Sequence, residues 1–187
     1  TVTGVGDPIL NNGPVGAVTF DVDGDTIVDF EFQGDNDPVY PFVRAGARNG
    51  IEVIGRTFAG YNYASRLASG ASVGAGGAFL AAGPAVDKLL AFQYFSTTGG
   101  LLSEGGDWLN GETGFIGFRI PDGADFNYGW VEVTVNPDNT TGMVIAYGIE
   151  SDVNTPIAAG VPEPNSLACL AMGAAGLLGW RQRRKRV

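Results

Sequence analysis

Histidine is absent from all 187 residues, and Cys169 is the sole cysteine. Without imidazole the chain has no ordinary Ser-His-Asp or Cys-His apparatus, no histidine-based metal site and no switch titrating near neutral pH. One cysteine forms no internal disulfide, so stability must come from the core, helped by any bound cation. Cations are scarce as well. Over residues 1–160 only Arg44, Arg48, Arg56, Arg66, Lys88 and Arg119 face 19 acidic residues, a net charge of −13. Such a surface repels phosphate backbones and argues against nucleic acid as a partner. The opening TVTGVGDPILNNG lacks the positive region and apolar run of a signal peptide, so export would require a leader already removed before Thr1.

What is present is concentrated at the other end. Residues 161–187 read VPEPNSLACLAMGAAGLLGWRQRRKRV, a Pro-Glu-Pro turn, an uncharged apolar run from Leu167 to Trp180, and a basic end of Arg181, Arg183, Arg184, Lys185 and Arg186. Two prolines around one residue stop a helix from passing through, so the apolar run begins as its own element. A helix of that length is about 21 Å long, against a hydrocarbon core of about 30 Å. It is short for a permanent anchor. The cations placed directly after it match a cytoplasmic stop, which suits a signal held transiently in the inner membrane.

This arrangement resembles the PEP-CTERM sorting signal of exported bacterial proteins, with Val161, Pro162, Glu163 and Pro164 as the motif. The resemblance implies an exosortase-type protease as partner, which recognises and cleaves the tail during export to the cell surface or beyond. The stretches FIGFRI, YGWVEVTV, AYG and PIAAG further resemble the ectodomain that often precedes such tails. The expected division is therefore an exported domain over 1–160 and a sorting tail over 161–187.

Within the domain the densest chemical motif is Asp21-Val22-Asp23-Gly24-Asp25, continuing to Asp29. Oxygen ligands at alternate positions of a tight loop turn inward together and suit Ca²⁺. The expected ligands are Asp21, Asp23, Asp25, the carbonyl of Ile27, and Asp29. The pattern resembles the DxDGD calcium loops between strands of secreted proteins and departs from the EF-hand, having Thr26 where that loop needs Gly and Phe32 where it needs Glu. A static structural ion is the expectation, and the competing reading is a plain hairpin turn. Asp35-Asn36-Asp37-Pro38 reads as a turn.

Strands are expected over 17–20, 26–32, 51–54, 89–96, 112–120, 129–135 and 143–149, separated by segments of Pro, Asp, Asn and Gly. The Gly/Ala/Ser-rich stretch within 61–84 lacks the Lys-Ser/Thr ending of a phosphate loop and reads as a surface loop or a close-packing segment. Residues 101–111 read as a loop carrying Trp108. Successive strands and 30 glycines predict an all-β fold, an antiparallel β-sandwich or jelly-roll-like domain followed by a short C-terminal apolar helix.

Three functions compete. The first is a non-enzymatic cell-surface or matrix protein, stabilised by Ca²⁺ and acting by adhesion or assembly with copies of itself. The alternative is a secreted carbohydrate-binding module, which would bind exopolysaccharide through an exposed aromatic, with Trp108 as the candidate contact. The third is a glycoside hydrolase using a carboxylate pair drawn from Glu104, Asp107, Glu112, Asp122 and Asp125.

Overall fold

The computed structural model describes residues 2–9, 17–81 and 88–161, with backbone only over 2–9. Fifteen strands and no helix occur among the described residues. In chain order they are β1 (Val2–Ile9), β2 (Val18–Phe20), β3 (Phe30–Asp35), β4 (Phe42–Ala47), β5 (Glu52–Phe58), β6 (Tyr61–Ala64), β7 (Arg66–Leu67), β8 (Ser72–Val73), β9 (Phe79–Leu80), β10 (Lys88–Phe95), β11 (Leu101–Gly105), β12 (Thr113–Asp122), β13 (Asp125–Val135), β14 (Gly142–Ile149) and β15 (Ile157–Ala158).

The all-β expectation holds. Its layout is one curled sheet in the order β1-β14-β13-β12-β5-β6-β10-β4-β3-β2, with a small β15-β8 pair beside it. The corner is β5, whose first residues pair with β12 and whose last pair with β6. Gly55 sits between these two partnerships, where a Cβ would lie 2.3 Å from the Tyr63 carbonyl oxygen. The absence of a side chain is what lets the sheet turn there.

Curling brings two wings face to face. Phe20, Phe30, Phe32, Val43 and Ala45 from β2–β4 form one core with Ile116, Phe118, Val131, Val133 and Val144 from β12–β14. Phe30 meets Phe118 edge to face at 5.0 Å, the geometry ring quadrupoles favour. The opposite face of β12–β13 is covered by the Gly-rich segment, where Val73 packs with Phe115, Tyr128, Trp130 and Ile157 in a second cluster. Both readings offered for that segment hold in part, since Val73, Gly74 and Gly77 pack closely while Ser69, Gly70, Ala75 and Gly76 lie on the surface.

Three expectations change. The first expected strand begins at residue 17, yet β1 precedes it and pairs with β14. Residues 101–111 contain β11 before the turn that carries Trp108. The strand expected over 26–32 starts only at Phe30. Ahead of it the carboxylates of Asp21 and Asp25 accept the N–H groups of Thr26 and Ile27, and Thr26 adopts φ +74°, which ends any extended run. The C-terminal apolar helix lies outside the described residues.

The β4–β5 connection turns on Asn49-Gly50 and the β5–β6 hairpin on Ala59-Gly60, with both central residues of each turn at positive φ. Asparagine tolerates this geometry and alanine does not, at a cost of about 1 kcal/mol. Ala59→Asn is therefore expected to raise the Tm by about 2–4 °C in calorimetry. An unchanged or lowered Tm would show that the hairpin is held by something other than its turn.

Candidate functional site

The connection from β2 to β3 is fixed at both ends before its acids are considered. The Asp29 N–H donates to the Phe20 carbonyl at 2.8 Å, the Arg48 N–H donates to the Asp29 carbonyl at 2.8 Å, and Val22 is buried in the main core. Within this frame the Asp21 carboxylate accepts the N–H groups of Gly24 (2.6 Å) and Thr26 (2.7 Å), which folds the loop back on itself. Asp29 is 3% exposed and accepts the Val22 N–H at 2.9 Å. Together these contacts bring one carboxylate oxygen each from Asp21, Asp23 and Asp29 within 4.8 Å of one another.

Asp25, one of the four expected carboxylate ligands, is not in that trio, and its carboxylate accepts the Ile27 N–H at 2.7 Å. Val28 faces solvent and Asp29 faces inward. A cleft of about 380 Å³ lies beside the loop and is lined by Asp23, Asp122 and Glu150 among others. No linear spacing connects Asp122 or Glu150 with the loop, so sequence reasoning had no signal for that neighbourhood.

The trio is electrostatically unequal. Burial pushes the Asp29 carboxyl up; the Val22 N–H opposes this, and the charges of Asp23, Asp21 and Asp25 add to the rise. Asp23 is also raised, by burial first and then by the Asp25 and Asp21 charges, against a favourable Asp25 N–H. For Asp21 burial acts upward, but N–H groups from Gly24, Thr26 and Asp25 outweigh it and hold the carboxyl below its ordinary value. Like charges this close favour either a held proton or a cation.

Other sequence candidates fall elsewhere. Trp108, expected to present a face to glycan, is 0% exposed, and its indole N–H donates to the Val133 carbonyl at 3.1 Å. It is a core residue and offers no stacking face. Among the described residues the exposed rings are instead Phe58, Tyr61 and Tyr94. Asp35-Asn36-Asp37 forms the expected turn, with Asp37 accepting the N–H groups of Val39 and Tyr40. Asn139, in a sequon, is buried at φ +57° and accepts the Asn110 N–H at 2.9 Å, so its side chain serves the turn.

Four of the five carboxylates considered for hydrolysis are engaged separately. Asp107 takes both guanidinium nitrogens of Arg56, at 2.6 and 2.8 Å, and this pairing holds its carboxyl below the ordinary range. Glu112 pairs with Arg66, Glu104 accepts from Gln93, and Asp125 accepts from Asn154. Breaking the Arg56–Asp107 pair by Asp107→Ala is expected to cost about 1 kcal/mol, because both groups are partly solvated. Urea denaturation would read the loss, and a much larger one would mean that the pair holds the β11–Trp108 turn in place.

The sorting residues Pro162, Glu163 and Pro164, and the cations Arg181, Arg183, Arg184, Lys185 and Arg186, lie outside the described residues. Val161 closes the described chain, its N–H donating to the Ala158 carbonyl at 3.2 Å. Just before it, β15 pairs with β8, and Ala159 exchanges backbone hydrogen bonds with Gly70 and Ala71.

A family profile described as the PEP-CTERM protein-sorting motif matches residues 160–185. The chain thus carries the sorting motif of an exosortase substrate, which implies recognition by an exosortase, export, and a cell-surface or extracellular destination. Its first matched residue, Gly160, belongs to the folded domain, packed against the Phe115 ring. No curated protein matches the chain, and no solved structure does.

Proposed function

We propose that this chain is an exported, non-enzymatic surface or matrix protein whose β-domain acts by adhesion or assembly after its tail has been read by an exosortase. The observation that carries the reading is the sorting motif at 160–185, directly continuous with a packed all-β domain. The tail spends only a brief time in the inner membrane, and the domain acts outside the cell. A divalent cation, Ca²⁺ by its preference for carboxylate oxygen, sits among Asp21, Asp23 and Asp29 and stabilises the domain. The preorganised loop and the closeness of three carboxylate oxygens support that placement. Carbohydrate binding is the second reading, favoured by a cluster of exposed aromatic side chains.

Sorting is tested in cells that express an exosortase, by replacing Pro162, Glu163 and Pro164 with alanine. The unaltered chain is expected at the surface with its tail removed, as intact mass would show. The variant is expected in the membrane fraction at full mass. Equal surface delivery of a fully trimmed variant would overturn the reading.

A further inference from the structure

The hairpin of β5 and β6 and the ribbon of β10 and β11 part company at one place. Along a single edge, β10 pairs first with β6 at Leu89↔Tyr63 and then with β11 from Phe92 onward. Where the partner changes, a cleft of about 610 Å³ opens between the hairpin tip and β11. Its floor is aromatic. Tyr40 stands 5.7 Å from Phe92 and 6.3 Å from Tyr94, and Tyr63 stands 6.2 Å from Phe92. On the rim, Phe58 and Tyr61 form a cross-strand pair, so both rings project on one face of the hairpin. Phe58 is 70% exposed and Tyr61 57%, a large apolar outlay for a surface with no partner.

The polar groups of the cleft are arranged for hydroxyls, and the one charge left unpaired among those named is the Glu104 carboxylate. The Arg56 guanidinium lies 5.6 Å over the Tyr63 ring and is already neutralised by Asp107, while Glu104 accepts from Gln93. The tyrosine hydroxyls make no hydrogen bond among the described residues, and burial first, then the neighbouring tyrosines, pushes the Tyr40 and Tyr63 hydroxyls up and keeps them neutral. The other wall is β11, which pairs only with β10 among the described residues and lines the cleft with Ser103, Glu104 and the backbone of Gly105. A wholly apolar ligand would leave these groups unanswered, and a polyanion would meet a domain of strong negative charge.

We infer that the cleft between the β5–β6 hairpin and β11 binds an uncharged polysaccharide, with sugar faces stacked on Tyr61 and Tyr94 and sugar hydroxyls bonded to the tyrosines and to β11. This deepens the adhesion reading and rests on it only for where the protein meets its ligand. An open trough with aromatic rims admits a chain that enters and leaves, which a closed pocket does not.

The test is affinity electrophoresis of the purified full chain through gels cast with dextran, laminarin, galactomannan or hydroxyethyl cellulose, and through polygalacturonate. At least one uncharged polymer is expected to retard the protein, and polygalacturonate is not. Tyr61→Ala and Tyr94→Ala should each weaken retardation at least tenfold, and Met143→Ala on β14 should leave it unchanged. Tyr61→Phe keeps the ring and is expected to fall between, which separates stacking from any loss of fold. Retardation by no uncharged polymer, retardation by polygalacturonate alone, or undiminished binding by both alanine variants would overturn the inference. Sorting is measured independently on the same chain. Correct delivery without binding removes the cleft's role and leaves surface function intact, whereas binding by a chain that is never sorted does the reverse.

Discussion

Trp108→Ala is expected to destabilise the domain by about 3–5 kcal/mol, a large share of the roughly 5–15 kcal/mol available to a domain of this size. Trp108 joins the two wings. Its backbone N–H donates to the Leu90 carbonyl on β10, and its indole N–H to the Val133 carbonyl on β13. Gly106 makes this possible, at φ +101° and with a Cβ position 2.1 Å from the Leu90 carbonyl oxygen, so only glycine lets the chain turn inward. Alanine at 108 would empty a fully buried indole volume in a core that cannot collapse without parting the wings. Trp108→Phe fills most of that volume and gives up the hydrogen bond, so its loss should be clearly smaller. Urea midpoints at constant slope would rank the two. A Trp108→Ala loss below about 1 kcal/mol would mean that the wings close without this contact.

Adding 10 mM Ca²⁺ to the calcium-free protein is expected to stabilise it by about 1.4–2.7 kcal/mol if the affinity is that of extracellular modules, about 10⁻⁴–10⁻³ M. For a domain of this length that is a rise in Tm of about 3–11 °C. Asp23→Ala should abolish the rise at little cost of its own, since Asp23 is exposed while Asp29 is buried. Identical melting in calcium and in chelator would remove the ion from the loop. Acid gives an independent reading, with the proton as the cation's stand-in. Asp23 and Asp29 have raised folded values, so the stability they contribute is present below the ordinary 3.8 and is lost as pH rises through those raised values. Asp21 runs the other way, contributing above 3.8 and losing that contribution as pH falls through its lowered value. In calcium-free buffer the stability of the protein relative to Asp23→Asn should therefore improve as pH falls from neutral toward 3.8. Saturating calcium should flatten that slope.

The tail and most strands were legible for the same reason, that their signals are local. Turn, apolar run and cations follow one another along the chain. The strands over 112–120, 129–135 and 143–149 announce themselves by β-branched and aromatic residues between Gly, Asp and Asn, and β12, β13 and β14 fall on them with small extensions. The acidic loop was legible as a loop with inward-turned carboxylates. Which of its acids lie closest together was not, because backbone N–H groups compete for each aspartate and Asp25 accepts from Ile27. Trp108 was misjudged because a polar, glycine-flanked stretch reads as surface, and nothing local says that a turn dips between two wings. The aromatic cleft left no trace in any window, since Tyr40, Phe58, Tyr61, Phe92 and Tyr94 come from segments as far apart as the chain between β3 and β10.

By itself the sequence determined the destination, the all-β character and the position of the acidic loop, because each is written in neighbouring residues whose chemistry acts over a few ångströms of contiguous chain. Only the tertiary structure decided which side chains are faces and which are core. Burial and convergence depend on where a curled sheet places strands far apart in the chain, and that long-range geometry sent Trp108 inward and left Tyr61 and Tyr94 looking across a cleft.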